Sequence, residues 1–202
     1  MSAVPGTKGY EKVIEAFSQV SSSLEFADVN RDFLHLLPAP PANVLDAGAG
    51  VGQNSAAMSE LGHFVVAVEP LEEFLVIARA NYSHLNIEWI NDSLPSLNSL
   101  GSEDKKFDFI LLAGVWHHLC VVERRECIQR FAHVINPGGI CAISLRNGPA
   151  GAGKHVFPVS CVELADYATE FGFKVVLQIE NQVSKLPNKS DVMWSRVALE
   201  KI

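Results

Sequence analysis

From Asn43 onward the chain alternates between short apolar runs and stretches whose apolar residues recur at helical spacing. The runs open at Asn43, Phe64, Ile87 and Phe107, and a fifth follows Asn136-Pro-Gly-Gly139. Short apolar runs bounded by turn residues read as buried strands, and strands that alternate with helices imply βαβ units around a mostly parallel sheet. Between the runs, Gln53 to Leu61 reads as a helix. Pro70, with Glu72 and Glu73 beside it, starts another that Phe74, Ile77 and Ala78 carry forward. Cys127, Ile128, Phe131 and Val134 set a third, stopped by Asn136-Pro-Gly-Gly139. Ser160 and Glu163 predict a capping box for a fourth, which Gly172 closes. Phe173 to Ile179 and Val192 to Leu199 are rich in β-formers with no helical pattern between them. They predict an antiparallel hairpin with a polar connection.

The first forty residues stand outside this alternation. Val13, Ile14, Phe17 and Val20 predict an amphipathic helix, and Phe33, Leu34, Leu36 and Leu37 a second that ends before Pro38. The chain therefore reads as one domain over residues 1–202, with 1–40 as a helical cap segment and 41–202 as the core.

Residues 44–52, Val-Leu-Asp-Ala-Gly-Ala-Gly-Val-Gly, say the most about chemistry. A strand delivers Asp46, glycines follow at 48, 50 and 52, and a helix begins. Glycine accepts backbone angles closed to other residues and lets a ligand approach the main chain. A dinucleotide fingerprint has the spacing G-x-G-x-x-G beneath a pyrophosphate. Here the spacing is G-x-G-x-G and a carboxylate stands two residues before it. Negative charge repels a pyrophosphate and suits a ligand that carries an ammonium and a sulfonium. An NAD-dependent oxidoreductase is disfavoured on this ground.

The stretch resembles the first motif of the class I S-adenosylmethionine-dependent methyltransferases, and the likeness continues in order over roughly residues 40–200. Glu69-Pro70 closes the second run, where an acidic residue can accept from both ribose hydroxyls. Ile87-Glu-Trp-Ile-Asn-Asp-Ser-Leu-Pro95 is similar to the third strand and adenine turn of that family. Phe107 to Leu119 and Asn136 to Ser144 are similar to its fourth and fifth strands. The resemblance implies an α/β fold: a Rossmann-like three-layer sandwich whose seven-stranded, mostly parallel sheet has an antiparallel C-terminal strand. It implies S-adenosyl-L-methionine as cofactor, bound by Asp46, Gly48, Ala49, Gly50, Gly52, Glu69, Pro70, Asp92, Ser93, Leu94, Ala113 and Trp116. By that likeness Asp92 accepts from the adenine amino group and the Ser93 N–H donates to the ring. The cap segment is expected to lie over the cleft.

Composition narrows the partners. The formal net charge is −7, with no basic stripe to neutralise phosphates, so nucleic acid is not expected. Arg124 and Arg125, between Glu123 and Glu126, read as a solvated helix face. The family's nucleic-acid enzymes carry an Asn- or Asp-Pro-Pro-aromatic motif after the fourth strand; this chain has Ala113-Gly-Val-Trp116. Cys120, Cys127, Cys141 and Cys161 show no metal-ligand spacing, so no metal is expected. With no leader-like N-terminus, free thiols in a reducing cytoplasm are expected. No run approaches the ~18 apolar residues of a membrane span. Oligomeric state is left open.

Methyl transfer is an in-line displacement, so the nucleophile must be held about 3 Å from the methyl carbon, on the side away from sulfur. Ligands of open α/β sheets bind beyond the C-terminal strand ends. That criterion selects Trp116, His117 and His118 after the fourth strand, and Arg146 and Asn147 after the fifth. His117 or His118 is the candidate base, and Arg146 the candidate partner for an anionic group on a small-molecule acceptor. The acceptor space is expected between Tyr10 to Phe17, Trp116 with His117, and the glycine-rich loop Arg146 to His155. The runner-up function is a non-catalytic S-adenosylmethionine-binding regulatory module.

Overall fold

The computed structural model describes residues 4–101, 106–184 and 189–202. Seven strands form one sheet: β1 (Asn43–Ala47), β2 (Phe64–Val68), β3 (Ile87–Ile90), β4 (Phe107–Leu112), β5 (Ile135–Asn147), β6 (Phe173–Val183) and β7 (Met193–Lys201). Their order is β3-β2-β1-β4-β5-β7-β6. β1 to β5 pair in parallel, and β7 runs antiparallel to both β5 and β6. The predicted α/β sheet and its C-terminal hairpin are both present. Residues 185–188 of the hairpin connection lie outside the described residues.

The helices are α1 (Ile14–Ser22), α2 (Phe26–Val29), α3 (Gln53–Glu60), α4 (Glu72–Asn81), α5 (Val121–Val134) and α6 (Cys161–Glu170). One face of the sheet packs Leu45, Val66 and Ile143 against Ile128 and Phe131 of α5 and Leu164 of α6. The other packs Val44, Val65 and Phe109 against Met58 of α3 and Phe33 of the cap segment. Burial on both faces is why the central strands are continuously apolar rather than alternating. The chain runs outward from β1 through β2 to β3, then returns to β4 on the other side of β1. That reversal opens a crevice at the C-terminal strand ends.

Four local expectations are corrected. The second cap helix is only a 3-10 turn at Leu34–Leu36, preceded by the short α2. Phe33 is sunk under the sheet and Pro38 restrains the residue before it, which leaves no room for a longer helix. α4 starts at Glu72 with Leu71 as its N-cap, so Pro70 stands just outside. Asn136-Pro-Gly-Gly139 belongs to β5, where the register against β4 jumps from Phe107↔Ile135 to Phe109↔Ile140. A Cβ on Gly139 would lie 2.7 Å from Ile135 Cγ1, so this irregular strand start needs glycine.

The fourth correction concerns charge. Ser160 Oγ accepts from the Val162 and Glu163 N–H groups, yet the Glu163 carboxylate does not reach back to complete the box. It binds Arg124 Nη1 at 2.9 Å instead. Arg124 is 1% exposed, not on a solvated face, and its Nε donates to the Trp116 carbonyl. Arg125 does face solvent, where it pairs with Glu170. A complete capping box stands at α5, where Glu123 Oε2 accepts from the Cys120 N–H at 2.7 Å. All four cysteines are free thiols, and no helix among the described residues is long and apolar enough to cross a membrane.

Candidate functional site

A cavity of about 310 Å³ opens over the C-terminal ends of β1, β2, β3 and β4. Its floor is the glycine loop. Gly48, Gly50 and Gly52 all have positive φ, and each has a different reason. A Cβ on Gly48 would run into Val115 Cγ2. One on Gly52 would lie 2.5 Å from the Trp89 ring, so that glycine serves packing of α3. Gly50 has nothing near it but Phe17, at 3.8 Å, so its bare backbone faces open space on the cavity wall. It is the position at which a ligand can lie directly on the main chain.

Glu69 stands at the end of β2, buried but on the wall. Its Oε2 accepts from the Gly50 N–H and its Oε1 from the Leu71 N–H, both at 2.9 Å. Each carboxylate oxygen keeps a second lone pair, so two ligand hydroxyls can still be accepted at once. Burial raises this carboxyl to about 7 despite those two donors, and the nearby Asp46 charge adds to the rise. Asp92, also on the wall, accepts from the Ser93 N–H and the Ser99 N–H at 2.7 Å each. The Ser93 N–H is thus engaged by the side chain of its own neighbour.

Asp46 itself lies beneath the loop. It is 1% exposed, takes a 2.6 Å hydrogen bond from Ser55 Oγ, and is raised to about 6 by burial. Its Oδ1 is buried with no hydrogen-bond partner among the described residues. Of the expected cofactor residues, Gly48, Gly50, Glu69, Pro70, Asp92, Ser93, Leu94 and Ala113 line the cavity. Asp46, Ala49 and Gly52 lie buried behind it, and Trp116 is fully buried in the core with Arg124 over its ring. Among the described residues the wall carries three carboxylates, Glu69, Asp92 and Glu123, and no lysine or arginine. A cationic ligand with a vicinal diol fits these acceptors; a pyrophosphate does not.

At the other end, beyond β4, the two adjacent histidines separate. His118 lines the cavity; His117 packs behind it with ring centroids 4.0 Å apart. Burial, then the neighbouring His118, Arg146 and Arg124, push His117 down to about 2, so it stays uncharged. His118 Nδ1 lies 2.7 Å from the His155 carbonyl. A carbonyl only accepts, so Nδ1 carries the proton and Nε2 presents a lone pair. Tyr10 Oη lies 3.1 Å from that Nε2 and must donate to it. Burial lowers the His118 pKa, which keeps the ring neutral.

The cap segment and the loop after β5 close over this pair. Val4 to Thr7, Tyr10 and Phe17 line the cavity, with Phe74 of α4 stacked on Phe17 at 5.0 Å. The Lys154 N–H donates to the Lys8 carbonyl at 2.7 Å. Arg146 points its Nη2 at the Pro149 carbonyl, 2.7 Å away, and is not on the wall. Its charge still acts on Tyr10, His117 and His118. Phe74 and Glu123 are wall residues that the sequence reads otherwise, one as the apolar stripe of a helix and one as part of a solvated charged run. Only tertiary packing turns both toward the cavity.

The comparisons with known proteins agree with this geometry. A family model described as a methyltransferase domain matches residues 44–139. An uncharacterised methyltransferase of Mycobacterium tuberculosis is 35% identical over 104 residues, 52% of this chain and 40% of that protein. A ubiquinone biosynthesis O-methyltransferase of Bartonella tribocorum is 29% identical over 65% of this chain and 51% of its own length. The chain thus spans about half the length of these relatives. Among solved structures, the 1,6-didemethyltoxoflavin-N1-methyltransferase of Burkholderia thailandensis superposes with a TM-score of 0.70 at 22% identity. That match covers 96% of this chain and 84% of that one. At such identity the likeness speaks for the fold.

Proposed function

We propose that this chain, which belongs to the class I S-adenosylmethionine-dependent methyltransferases, transfers the methyl group of S-adenosylmethionine to a small molecule bound beneath its cap segment. One observation carries the reading: the open backbone of Gly50 and the carboxylates of Glu69 and Asp92 share the wall of one cavity. When bound, the cofactor supplies an electrophilic methyl carbon on a sulfonium. Gly50 lets it lie against the main chain, Glu69 accepts from its ribose hydroxyls, and Asp92 marks the adenine end. The unpaired Oδ1 of Asp46 adds negative charge beneath the loop.

The chain's own task at the far end is to hold an acceptor, exclude water and take its proton. Tyr10, Phe17 and Phe74 supply an apolar, aromatic cover. His118 is the final proton acceptor, because it alone of the two histidines lines the cavity and its Nε2 is the acceptor of the hydrogen bond from Tyr10. His117 and Arg146 act as positioning residues, His117 as a neutral backing for His118 and Arg146 as an anchor for its own loop. The names of a sequence relative, a ubiquinone biosynthesis O-methyltransferase, and of a structural neighbour, a 1,6-didemethyltoxoflavin-N1-methyltransferase, support a small-molecule acceptor.

The test is transfer of isotopically labelled methyl from S-adenosylmethionine to a panel of phenols, anilines, nitrogen heterocycles and thiophenol. Labelled product from at least one member, lost in His118→Gln with S-adenosylhomocysteine binding retained, is the expected result. A wild-type protein that binds S-adenosylhomocysteine yet labels no member contradicts the enzymatic reading.

A further inference from the structure

Resting on the methyltransferase reading, we infer that Tyr10 is a catalytic residue that carries the acceptor's proton to His118. Three observations place it there. The lone pair of His118 Nε2, fixed by the Nδ1–H bond to His155, is not open to the cavity but already accepts from Tyr10 Oη at 3.1 Å. A proton leaving an acceptor therefore meets the phenol oxygen first. That oxygen has spare lone pairs of its own, so it can accept one proton while it gives up another.

Tyr10 is also placed between the two ends of the cavity. It lies on the wall, and the charges of Glu69 at one end and Arg146 at the other both act on its hydroxyl. Its ring is locked edge-on against Phe17 at 5.0 Å and Phe74 at 6.0 Å, which fixes where Oη points. Burial raises the phenol to about 12, so it holds its proton until Nε2 takes it. The surrounding backbone is fitted to the pair. A Cβ on Gly153 would lie 2.6 Å from Tyr10 Cε2 and would strike His118 Cε1. A Cβ on Gly9 would strike the Ala152 carbonyl oxygen. These glycines let the cap segment and the loop after β5 meet directly over the Tyr10–His118 bond.

The acceptor's oxygen or nitrogen gives its electron pair to the methyl carbon while the carbon–sulfur bond breaks and that pair stays on sulfur. The acceptor's proton passes to Tyr10 Oη, and the proton that Oη held passes to His118 Nε2. The single positive charge moves from sulfonium to imidazolium, where the His155 carbonyl continues to accept from Nδ1. Release of that proton to solvent restores the pair.

The experiment uses Tyr10→Phe, which keeps the ring and its packing. With the phenol or aniline found active in the panel, kcat should fall about 100-fold, the range of a lost proton-transfer group. Thiophenolate brings no proton, so its rate should change less than about threefold. Tyr10→Phe/His118→Gln should be no slower than either single variant, as expected of groups that act as a unit. Calorimetry should show S-adenosylhomocysteine binding within about threefold of wild type, or about 0.6 kcal/mol. As a readout independent of turnover, 15N spectra of histidine-labelled protein should show His118 as the neutral Nδ1–H tautomer, with its Nε2 resonance displaced in Tyr10→Phe. Equal loss with phenol and thiophenolate, an unchanged kcat, or an unmoved Nε2 resonance overturns the inference and leaves the methyltransferase reading standing. A wild type inactive on every panel member overturns both.

Discussion

Gly50 and Gly52 share a left-handed backbone, at φ +57° and +89°, and differ in what surrounds them. Gly52→Ala drives a methyl into the Trp89 ring and should destabilise the fold by about 1–3 kcal/mol. Gly50→Ala meets only Phe17, so it should leave unfolding nearly unchanged, within the ~1 kcal/mol strain of its backbone, while weakening S-adenosylhomocysteine binding more than about tenfold. Thermal unfolding and calorimetry on the two variants separate these roles; equal effects on both readouts would contradict them. Glu69 gives a second prediction. In the free protein its carboxyl is raised to about 7, so ionising it opposes folding as pH rises from the ordinary carboxylate range toward 7. Ribose hydroxyls donate best to the ionised form, so binding should lower that pKa and release a proton, with Asp46 and Tyr10 as the titratable neighbours. Affinity for S-adenosylhomocysteine should rise between about pH 6 and pH 8, and calorimetry in buffers of different ionisation enthalpy should show proton release. Proton uptake contradicts the assignment. Glu69 and Asp92 were legible in sequence because they stand one and two residues beyond the ends of β2 and β3. Which histidine of the pair faces the cavity was not, since a turn decides it.

Arg124 shows the same contrast one level up. Its guanidinium ties α5 to α6 through Glu163 and holds the Trp116 carbonyl, while Arg125, one residue on, pairs with Glu170 in solvent. Arg124→Met leaves the Glu163 carboxylate, among the described residues, with only the Tyr167 hydroxyl and takes one donor from the Trp116 carbonyl, and should cost about 1–3 kcal/mol in urea unfolding. Arg125→Met should cost about 0.5 kcal/mol or less. Similar losses in the two variants would contradict the burial. The run Glu123-Arg-Arg-Glu126 reads as a charged surface only when charge is counted without helical phase. Position 124 is three, four and seven residues before Cys127, Ile128 and Phe131, so it shares their buried stripe. That signal was in the chain. No comparable signal marks the cap segment, where the burial of Phe33 and the prolines after it override the local apolar spacing.

At the scale of the molecule, strand order, the crevice over β1 and β4, and the cofactor end of the cavity follow from alternation and a nine-residue motif, because they depend on contacts near in sequence or on topology. The acceptor end does not. It is assembled from residues 4–17, 113–123 and the backbone of 153–155, segments that meet only once the sheet has formed. Sequence placed Trp116 and Arg146 on that wall, and packing put one in the core and turned the other toward its own loop. The central claim is that the cavity over the glycine loop takes S-adenosylmethionine. Calorimetric titration of the full chain with S-adenosylhomocysteine, with NAD as the competing dinucleotide, tests it most directly. One site of micromolar affinity, about 7–9 kcal/mol, which NAD does not displace, is the expected result. No heat with S-adenosylhomocysteine at millimolar concentration, or displacement by NAD, would contradict it.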